Sequence, residues 1–171
     1  MSKQTVLVVE DEAIVALELR TRLQELGYRV PNSCSTGIEA LEKIRSYQPE
    51  LVLMDIMLRG EMDGIETASR IRDTHDIPII FLTAYADDDT LERAKRAEPH
   101  GYLIKPFEER QLRSTIEMAL YKHQVEQELD RTRQWLSTTL HSIEDGVIAT
   151  DHREFITLIN PTAQAITGWD R

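Results

Sequence analysis

The sequence predicts an α/β fold: a five-stranded doubly wound parallel sheet in the order 2-1-3-4-5, with an extended C-terminal helix. Short apolar runs rich in β-branched residues alternate five times with helix-like stretches over roughly the first 121 residues. Two of these runs, Leu51 to Asp55 and Ile77 to Thr83, are almost wholly apolar, as in strands covered on both faces. Charged or hydroxyl residues end the runs, at the edge where an open α/β sheet carries its binding site.

The elements follow one another in a regular order. Residues 5–9 predict the first strand, and residues 12–26 then repeat leucine and isoleucine at near-helical spacing up to Gly27. The second strand, residues 29–34, contains Pro31, which cannot donate to a ladder and so indicates a sheet edge. If strand 2 lies at the edge and the crossovers are right-handed, the strand order is 2-1-3-4-5, and strands 1 and 3 are neighbours. Further helices are predicted at 37–47, near 65–73, near 88–97 and from about 108, with a fifth strand at 102–104.

The composition excludes several classes of protein. Thirty acidic residues against 20 basic ones, a formal charge of −10, oppose binding to a nucleic-acid backbone. Cys34 is the one cysteine, so the chain forms no internal disulfide, and its neighbours lack the Cys/His spacing of a metal site. No apolar stretch approaches the roughly 18 residues needed to cross a bilayer. We therefore expect a cytoplasmic chain with no nucleic-acid partner and no membrane segment.

Acidic, basic and hydroxyl residues gather where the predicted strands end. Because parallel strands end at the same edge of a sheet, these side chains should lie close together. Alone, each has an ordinary explanation; an aspartate after a strand, for example, often caps the next helix. Carboxylates that share one place repel each other unless a cation lies among them, so the set indicates a divalent metal and a phosphoryl group. Its members are Glu10, Asp11, Asp55, Thr83 and Lys105.

Five short segments carry the most specific pattern in the chain. They are Val-Leu-Val-Val-Glu-Asp-Glu (6–12), Leu-Val-Leu-Met-Asp-Ile (51–56), Met-Asp-Gly (62–64), Phe-Leu-Thr-Ala (81–84) and Gly-Tyr-Leu-Ile-Lys-Pro-Phe (101–107). Together they resemble the response-regulator receiver domains of two-component signalling, over residues 1 to about 121. The resemblance implies a flavodoxin-like fold and a phosphoacceptor module that is not itself an enzyme.

The resemblance also implies the chemistry of the site. Asp55 would accept a phosphoryl group from the phosphohistidine of a histidine kinase or a phosphotransfer protein. Mg²⁺, or Mn²⁺ as a substitute, would be held by Asp11, Asp55 and the backbone carbonyl of Met57, with Glu10 helping through water. A small, hard cation that keeps several waters suits such a sparse carboxylate set.

The remaining site residues would contact the phosphoryl group or respond to it. Lys105 would pair with its oxygens, Thr83 would hydrogen-bond one of them, and Ala84 would leave room for it. By the same resemblance, Thr83 and Tyr102 would move together and remodel the face made by helix 4, strand 5 and helix 5. The alternative for Tyr102 is an ordinary half-buried strand aromatic. One departure is Arg59, near which many receivers have a proline.

Two rival interpretations involve other phosphoryl chemistry. A Mg²⁺-dependent phosphatase of the haloacid dehalogenase type also combines a strand-end aspartate with threonine and lysine. That family, however, places Asp-x-Asp on its first strand, whereas the first strand here ends Glu-Asp-Glu. His141 as the phosphoacceptor of a kinase helix lacks the expected charged-then-proline context, so we expect an ordinary helix residue there.

Beyond residue 108 the pattern changes to one long helix. Apolar residues, and threonines that a coiled coil tolerates, recur in alternating three- and four-residue steps, with Lys122 as an interruption. This spacing indicates a weak coiled-coil seam. The helix could lie against its own domain, but its charged surroundings favour a projecting signalling helix. We expect a homodimer formed through this helix or through the helix 4/strand 5/helix 5 face. The seam comprises Met118, Val125, Leu129, Thr132, Leu136, Thr139 and Ile143.

The tail predicts two strands, at 146–150 and 155–159, and a helix that Asn160 caps and Pro161 begins. Its segments Ser-Ile-Glu-Asp-Gly-Val-Ile-Ala-Thr-Asp and Ile-Asn-Pro-Thr-Ala-Gln-Ala-Ile-Thr-Gly-Trp resemble the start of a PAS sensor domain. A hairpin and one helix bury too little to stand alone, so beyond about 142 we expect disorder or a borrowed partner surface. The expected organisation is a receiver at 1–121, a signalling helix at 122–141 and a PAS fragment at 142–171. A sensor histidine kinase is a parent protein compatible with this organisation.

Overall fold

The computed structural model of the chain describes residues 4–84 and 88–169. Two compact units are present, Met1–Gln124 and Val125–Arg171, and α5 runs through the boundary between them. The helices and strands, in chain order, are β1 (Val6–Val9), α1 (Ala13–Glu25), β2 (Ser33–Cys34), α2 (Gly37–Tyr47), β3 (Leu51–Asp55), α3 (Gly64–Thr74), β4 (Ile79–Thr83), α4 (Asp88–Arg96), β5 (Gly101–Ile104), α5 (Glu109–Ser142), β6 (Ile148–Thr150), β7 (Ile156–Ile159) and α6 (Pro161–Thr167).

The first unit is built on a parallel sheet in the order β2-β1-β3-β4-β5. β1 pairs with β3 from Val6 opposite Leu51 to Val9 opposite Met54. On the other side of β3, Asp55 lies opposite Leu82 of β4. The predicted fold class and strand order are therefore confirmed, and β1 and β3 are neighbours at the point where the strand order reverses.

Helices cover both faces of this sheet, so the strands are buried on each side. On one face, Leu7 and Val9 of β1 join a buried cluster that includes residues of α2 and α3. On the other face, Val6 and Val8 join a cluster that includes residues of α1 and the first part of α5. This two-sided cover explains why the central strands have almost no polar residues before their last position.

Two strands of the parallel sheet are shorter than predicted by two residues or more. β2 covers only residues 33–34, although an isolated parallel bridge joins Thr5 and Arg29. Pro31 lies between that bridge and β2 and has no backbone N–H to continue the ladder. β4 begins at Ile79 rather than residue 77, directly after Pro78, whose carbonyl accepts a hydrogen bond from the Val52 N–H.

The second unit contains the distal part of α5, an antiparallel β6–β7 hairpin and α6. Asn160 caps α6 by accepting a hydrogen bond from the Ala163 N–H at 2.9 Å, and Pro161 is the first residue of that helix, as predicted. The described tail has regular secondary structure rather than disorder. Several large apolar side chains nevertheless stay exposed on this unit: Ile148, Phe155, Ile156, Ile166 and Trp169.

None of the helices in residues 4–84 and 88–169 is both long and apolar enough to cross a membrane.

Candidate functional site

The predicted carboxylates meet at the carboxyl ends of β1 and β3. One carboxylate oxygen from each of Glu10, Asp11 and Asp55 lies within 4.8 Å of the other two. Glu10 and Asp55 are only 2% and 7% exposed, so their charges are largely removed from water. The in-register pairing of β1 with β3 produces this arrangement, because both strands end at the same level of the sheet. Three carboxylates held this close need a cation.

Lys105 supplies one cation to this cluster. Its Nζ lies 2.5 Å from Glu10 Oε2 and 2.7 Å from Asp55 Oδ2. Burial, the largest single influence, lowers the pKa of Lys105, but hydrogen bonds to Asp55 and Glu10 outweigh it and leave that pKa above its ordinary value. Burial is also the main reason why the pKa of Glu10 is raised; the Lys105 hydrogen bond opposes this rise, and the Asp55 charge adds to it. Lys105 therefore stays charged beside acids that need it.

Arg59 supplies a second cation, which sequence analysis did not assign to the site. Its Nε lies 2.9 Å from Asp11 Oδ2, while 86% of the arginine side chain stays exposed. The one available signal was that proline is common near this position in similar sequences. The pairing itself depends on the path of the loop after β3, which residue types alone do not specify.

The loop after β3 holds the Asp55 carboxylate in place. The Met57 N–H donates to Asp55 Oδ1 at 2.9 Å, so the backbone of Met57 is fixed beside this side chain. Gly64, at the start of α3, donates its N–H to the Ile56 carbonyl at 3.0 Å. A Cβ at position 64 would overlap the Asp55 carbonyl oxygen, which explains the glycine of the Met-Asp-Gly segment.

Thr83 and Ala84 lie at the end of β4, beside the carboxylates. Thr83 is 7% exposed, and its carbonyl accepts a hydrogen bond from the Lys105 N–H at 2.7 Å. Ala84 is exposed and, with Lys105, helps to line a cavity between α1 and the segment after β5. Small and hydroxyl side chains therefore border the open side of the cluster.

Tyr102 on β5 turns its ring toward the sheet core. It lies opposite Phe81 in the β4–β5 register, with the two ring centroids 6.0 Å apart. The hydroxyl is buried and has no hydrogen-bond partner among residues 4–84 and 88–169, and burial raises the pKa of Tyr102. An unsatisfied buried hydroxyl costs free energy, so this orientation is held by packing.

The donor set fits a small divalent cation. Carboxylate oxygens are the ligands that Mg²⁺ prefers, and three of them converge here from two strand ends. Lys105 and Arg59 leave this set with one uncompensated negative charge if all three acids are ionised. The structure groups Glu10, Asp11 and Asp55 and pairs Lys105 with two of them, and Thr83 contacts Lys105 through its backbone carbonyl.

In this doubly wound sheet, an acid cluster and a lysine lie at the switch point, which is the place where the strand order reverses. This is the architecture of a receiver-type signalling domain. Comparison with known families agrees: the model of the response regulator receiver domain matches residues 6–117, and that of the PAS fold matches residues 135–171. The chain therefore belongs to the response regulator receiver domain family of two-component signalling, followed by a PAS fragment.

Similar proteins support this assignment. The transcriptional regulatory protein PdtaR of Mycobacterium tuberculosis is 39% identical over 115 residues, which are 67% of this chain and 56% of PdtaR. This chain thus spans about half the length of that relative. The signal receiver domain of a modulated diguanylate cyclase from Desulfovibrio desulfuricans is 42% identical, with a TM-score of 0.70 over 73% of this chain and 99% of that one.

A further solved structure covers a larger share of this chain. It is described as a trimeric coiled-coil segment of yeast Spc42 in a fusion, is 30% identical, and has a TM-score of 0.68 over 80% of this chain and 98% of that one. The haloacid dehalogenase alternative gains no support from any of these comparisons.

Proposed function

We propose that this chain is the phosphoacceptor module of a two-component phosphorelay and that Asp55 is its acceptor. The observation that supports this most directly is the position of the Asp55 carboxylate at the switch point, 2.7 Å from Lys105 Nζ and grouped with Glu10 and Asp11. The Asp55 carboxylate can receive a phosphoryl group because the Lys105 ammonium already faces the oxygens that will become more negative.

The chemistry follows from the environment of each oxygen. A carboxylate oxygen of Asp55 attacks the phosphorus of a phosphohistidine on a histidine kinase or phosphotransfer protein. The P–N bond breaks, and its electron pair stays on the imidazole nitrogen. The Met57 N–H and Lys105 Nζ orient the Asp55 carboxylate. Mg²⁺, bound by Asp11, Asp55 and the Met57 carbonyl with Glu10 behind a water, would neutralise the phosphoryl oxygens; Mn²⁺ would serve in its place.

The response to phosphorylation is assigned to β4 and β5. Thr83 would turn toward the phosphoryl oxygens, Ala84 would admit them, and Lys105 would pair with them. The inward orientation of Tyr102 is the one expected of the active state, so phosphorylation would raise the population of this orientation and of the α4/β5/α5 face that accompanies it. That face, or α5, would form a homodimer and pass the signal to a PAS or kinase output.

Under this proposal the chain lies in the cytoplasm and divides into three parts. Residues 1–121 form the receiver, residues 122–141 the signalling helix, and residues 142–171 the start of a PAS domain. The chain has no catalytic activity of its own in this scheme. One similar structure is the receiver domain of a modulated diguanylate cyclase, so a longer parent protein with an enzymatic output is compatible with this proposal.

The test is phosphoryl uptake from acetyl phosphate with Mg²⁺, measured by intact-protein mass. The unsubstituted chain should gain one phosphoryl group and Asp55→Asn should gain none, while the exposed control Asp73→Asn should match the unsubstituted chain. Undiminished uptake by Asp55→Asn would overturn the assignment. Steady turnover of an unrelated phosphate ester, with no stable acyl phosphate, would favour the phosphatase instead.

A further inference from the structure

Two histidines from different elements meet at the edge of the parallel sheet opposite the acid cluster. His100 directly precedes β5, and His123 lies on α5. Their ring centroids are 5.3 Å apart, and the rings are nearly perpendicular, with an interplanar angle of 79°. The His100 main-chain N–H donates to the Ile79 carbonyl at 2.8 Å, so the start of β4 fixes the position of His100. The fold therefore brings together two imidazoles that no spacing in the sequence connects.

Two carboxylates accompany this histidine pair. Asp76 precedes β4, and its Oδ1 lies 3.6 Å from Nδ1 of His123. Glu126 follows His123 by one turn of the same unbroken helix, so both side chains lie on one face of α5. One nitrogen of His123 lies within 4.8 Å both of a nitrogen of His100 and of a carboxylate oxygen of Glu126. Two acids beside two neutral imidazoles favour a cation.

The donor atoms suit a transition metal better than Mg²⁺. Imidazole nitrogen is a ligand that Zn²⁺, Cu²⁺ and Ni²⁺ accept, whereas Mg²⁺ prefers oxygen throughout. Two donors on one tetrahedral Zn²⁺ are about 3.3 Å apart, because each lies about 2.0–2.1 Å from the metal. Small rotations of the His100 and His123 rings would bring nitrogens that lie within 4.8 Å of each other to this separation. The chemistry of this edge thus differs from that of the all-oxygen acid cluster.

The surroundings of the two rings leave a nitrogen of each available to a metal. The His123 side chain is only 12% exposed, and Asp76 beside its Nδ1 favours a proton on that nitrogen, which leaves Nε2 as the ligand atom. The Ile79 N–H lies 3.4 Å from Nδ1 of His100, which is long for a hydrogen bond. The His100 ring therefore loses little when it turns toward a metal.

We propose that His100, His123 and Glu126 bind one Zn²⁺ ion, or another divalent metal ion that prefers imidazole. Asp76 orients the His123 ring through its Nδ1. Three protein ligands leave the fourth position of a tetrahedral ion to water. The ion ties the segment before β5 to α5, so its role is structural, and no chemical step is assigned to it. This site is independent of the phosphoryl acceptor under the proposed function.

Zinc binding to the full, chelator-treated chain tests the proposal. Calorimetry with ZnCl₂, in excess Mg²⁺ to compete at the acid cluster, should show one Zn²⁺ per chain. His100→Gln and His123→Gln should each weaken this binding at least about 100-fold, whereas Asp76→Asn, which removes only an orienting group, should weaken it about 10-fold. Glu126→Gln, which keeps a neutral oxygen, should also weaken it. The exposed His152→Gln is the matched control and should bind Zn²⁺ normally.

Nitrogen-15 spectra of the imidazoles give a direct measurement on the unsubstituted chain. Addition of Zn²⁺ should shift one ring nitrogen of His100 and one of His123, and should leave His152 unchanged. Unshifted His100 and His123 nitrogens, or undiminished binding by folded His100→Gln and His123→Gln, would overturn the site. Half a Zn²⁺ per chain would also overturn it, because two copies would then share the ion.

The outcomes are separable from those of the proposed function. Asp55→Asn should abolish phosphoryl uptake and yet bind Zn²⁺ as tightly as the unsubstituted chain. Loss of Zn²⁺ binding in Asp55→Asn would instead place the ion at the acid cluster and overturn the second site. Circular dichroism of each variant should match that of the unsubstituted chain, so that a loss of binding reports a lost ligand and not a lost fold.

Discussion

Replacing Lys105 with methionine tests whether the acid cluster depends on this cation. The substitution keeps the length of the side chain but leaves Glu10 and Asp55 facing each other without their shared partner. Glu10 and Asp55 side chains are 0% and 10% exposed, and that of Lys105 is 17% exposed. Removing one partner of a buried ion pair costs about 3–5 kcal/mol. The lower end applies because the site opens to solvent on one side, so we expect a loss of about 3 kcal/mol in metal-free buffer.

The assay is thermal unfolding of the receiver unit, with and without Mg²⁺. A loss of this size in a unit of this length lowers Tm by about 10 °C. Because the metal supplies the missing positive charge, Mg²⁺ should recover much of the loss, and by linkage it should bind the variant more tightly than the unsubstituted chain. Lys95→Met, which breaks an exposed pair with Glu92, is the matched control and should leave Tm nearly unchanged. An equal loss with and without Mg²⁺ would refute the reasoning.

Three further predictions each concern one side chain. Arg59→Ala should tighten Mg²⁺ binding about 2- to 5-fold by calorimetry, because the guanidinium no longer competes for Asp11; unchanged affinity would contradict this. Tyr102→Phe should stabilise the receiver by about 1 kcal/mol in urea unfolding, since it removes a buried hydroxyl without a described partner; a loss would show that the hydroxyl is bonded. Burial raises the pKa of Cys34 to about 12, so the thiol of the unfolded chain ionises first as pH rises, and the free energy of unfolding should fall above about pH 8.5. Cys34→Ala should lack this part of the pH dependence. An identical pH profile for the variant and the unsubstituted chain would oppose the burial argument.

The strand ends were predictable from sequence because each obeys a local rule. Apolar runs end where the sheet meets solvent, so the sequence alone places Glu10, Asp55 and Thr83 at one edge. Pro31 likewise indicated the edge strand, although the ladder interruption made β2 shorter than its apolar run.

Contacts that depend on the path of a loop were not predictable. The Arg59–Asp11 pair requires the loop after β3 to fold back over the end of β1. The close approach of Gly64 to the Asp55 backbone depends on how α3 begins relative to β3. The inward orientation of Tyr102 depends on space beside Phe81, which packing decides and residue type does not.

The hydrogen bond from the Lys105 N–H to the Thr83 carbonyl adds one rung to the sheet beyond Ile104. It ties the main chains of β4 and β5 together at the point where both leave the sheet. A displacement of either strand end is therefore passed to the other through a single peptide group, and the two cannot shift independently without breaking that bond. Deuterium uptake at the Lys105 amide should consequently report on the motion of both strand ends at once.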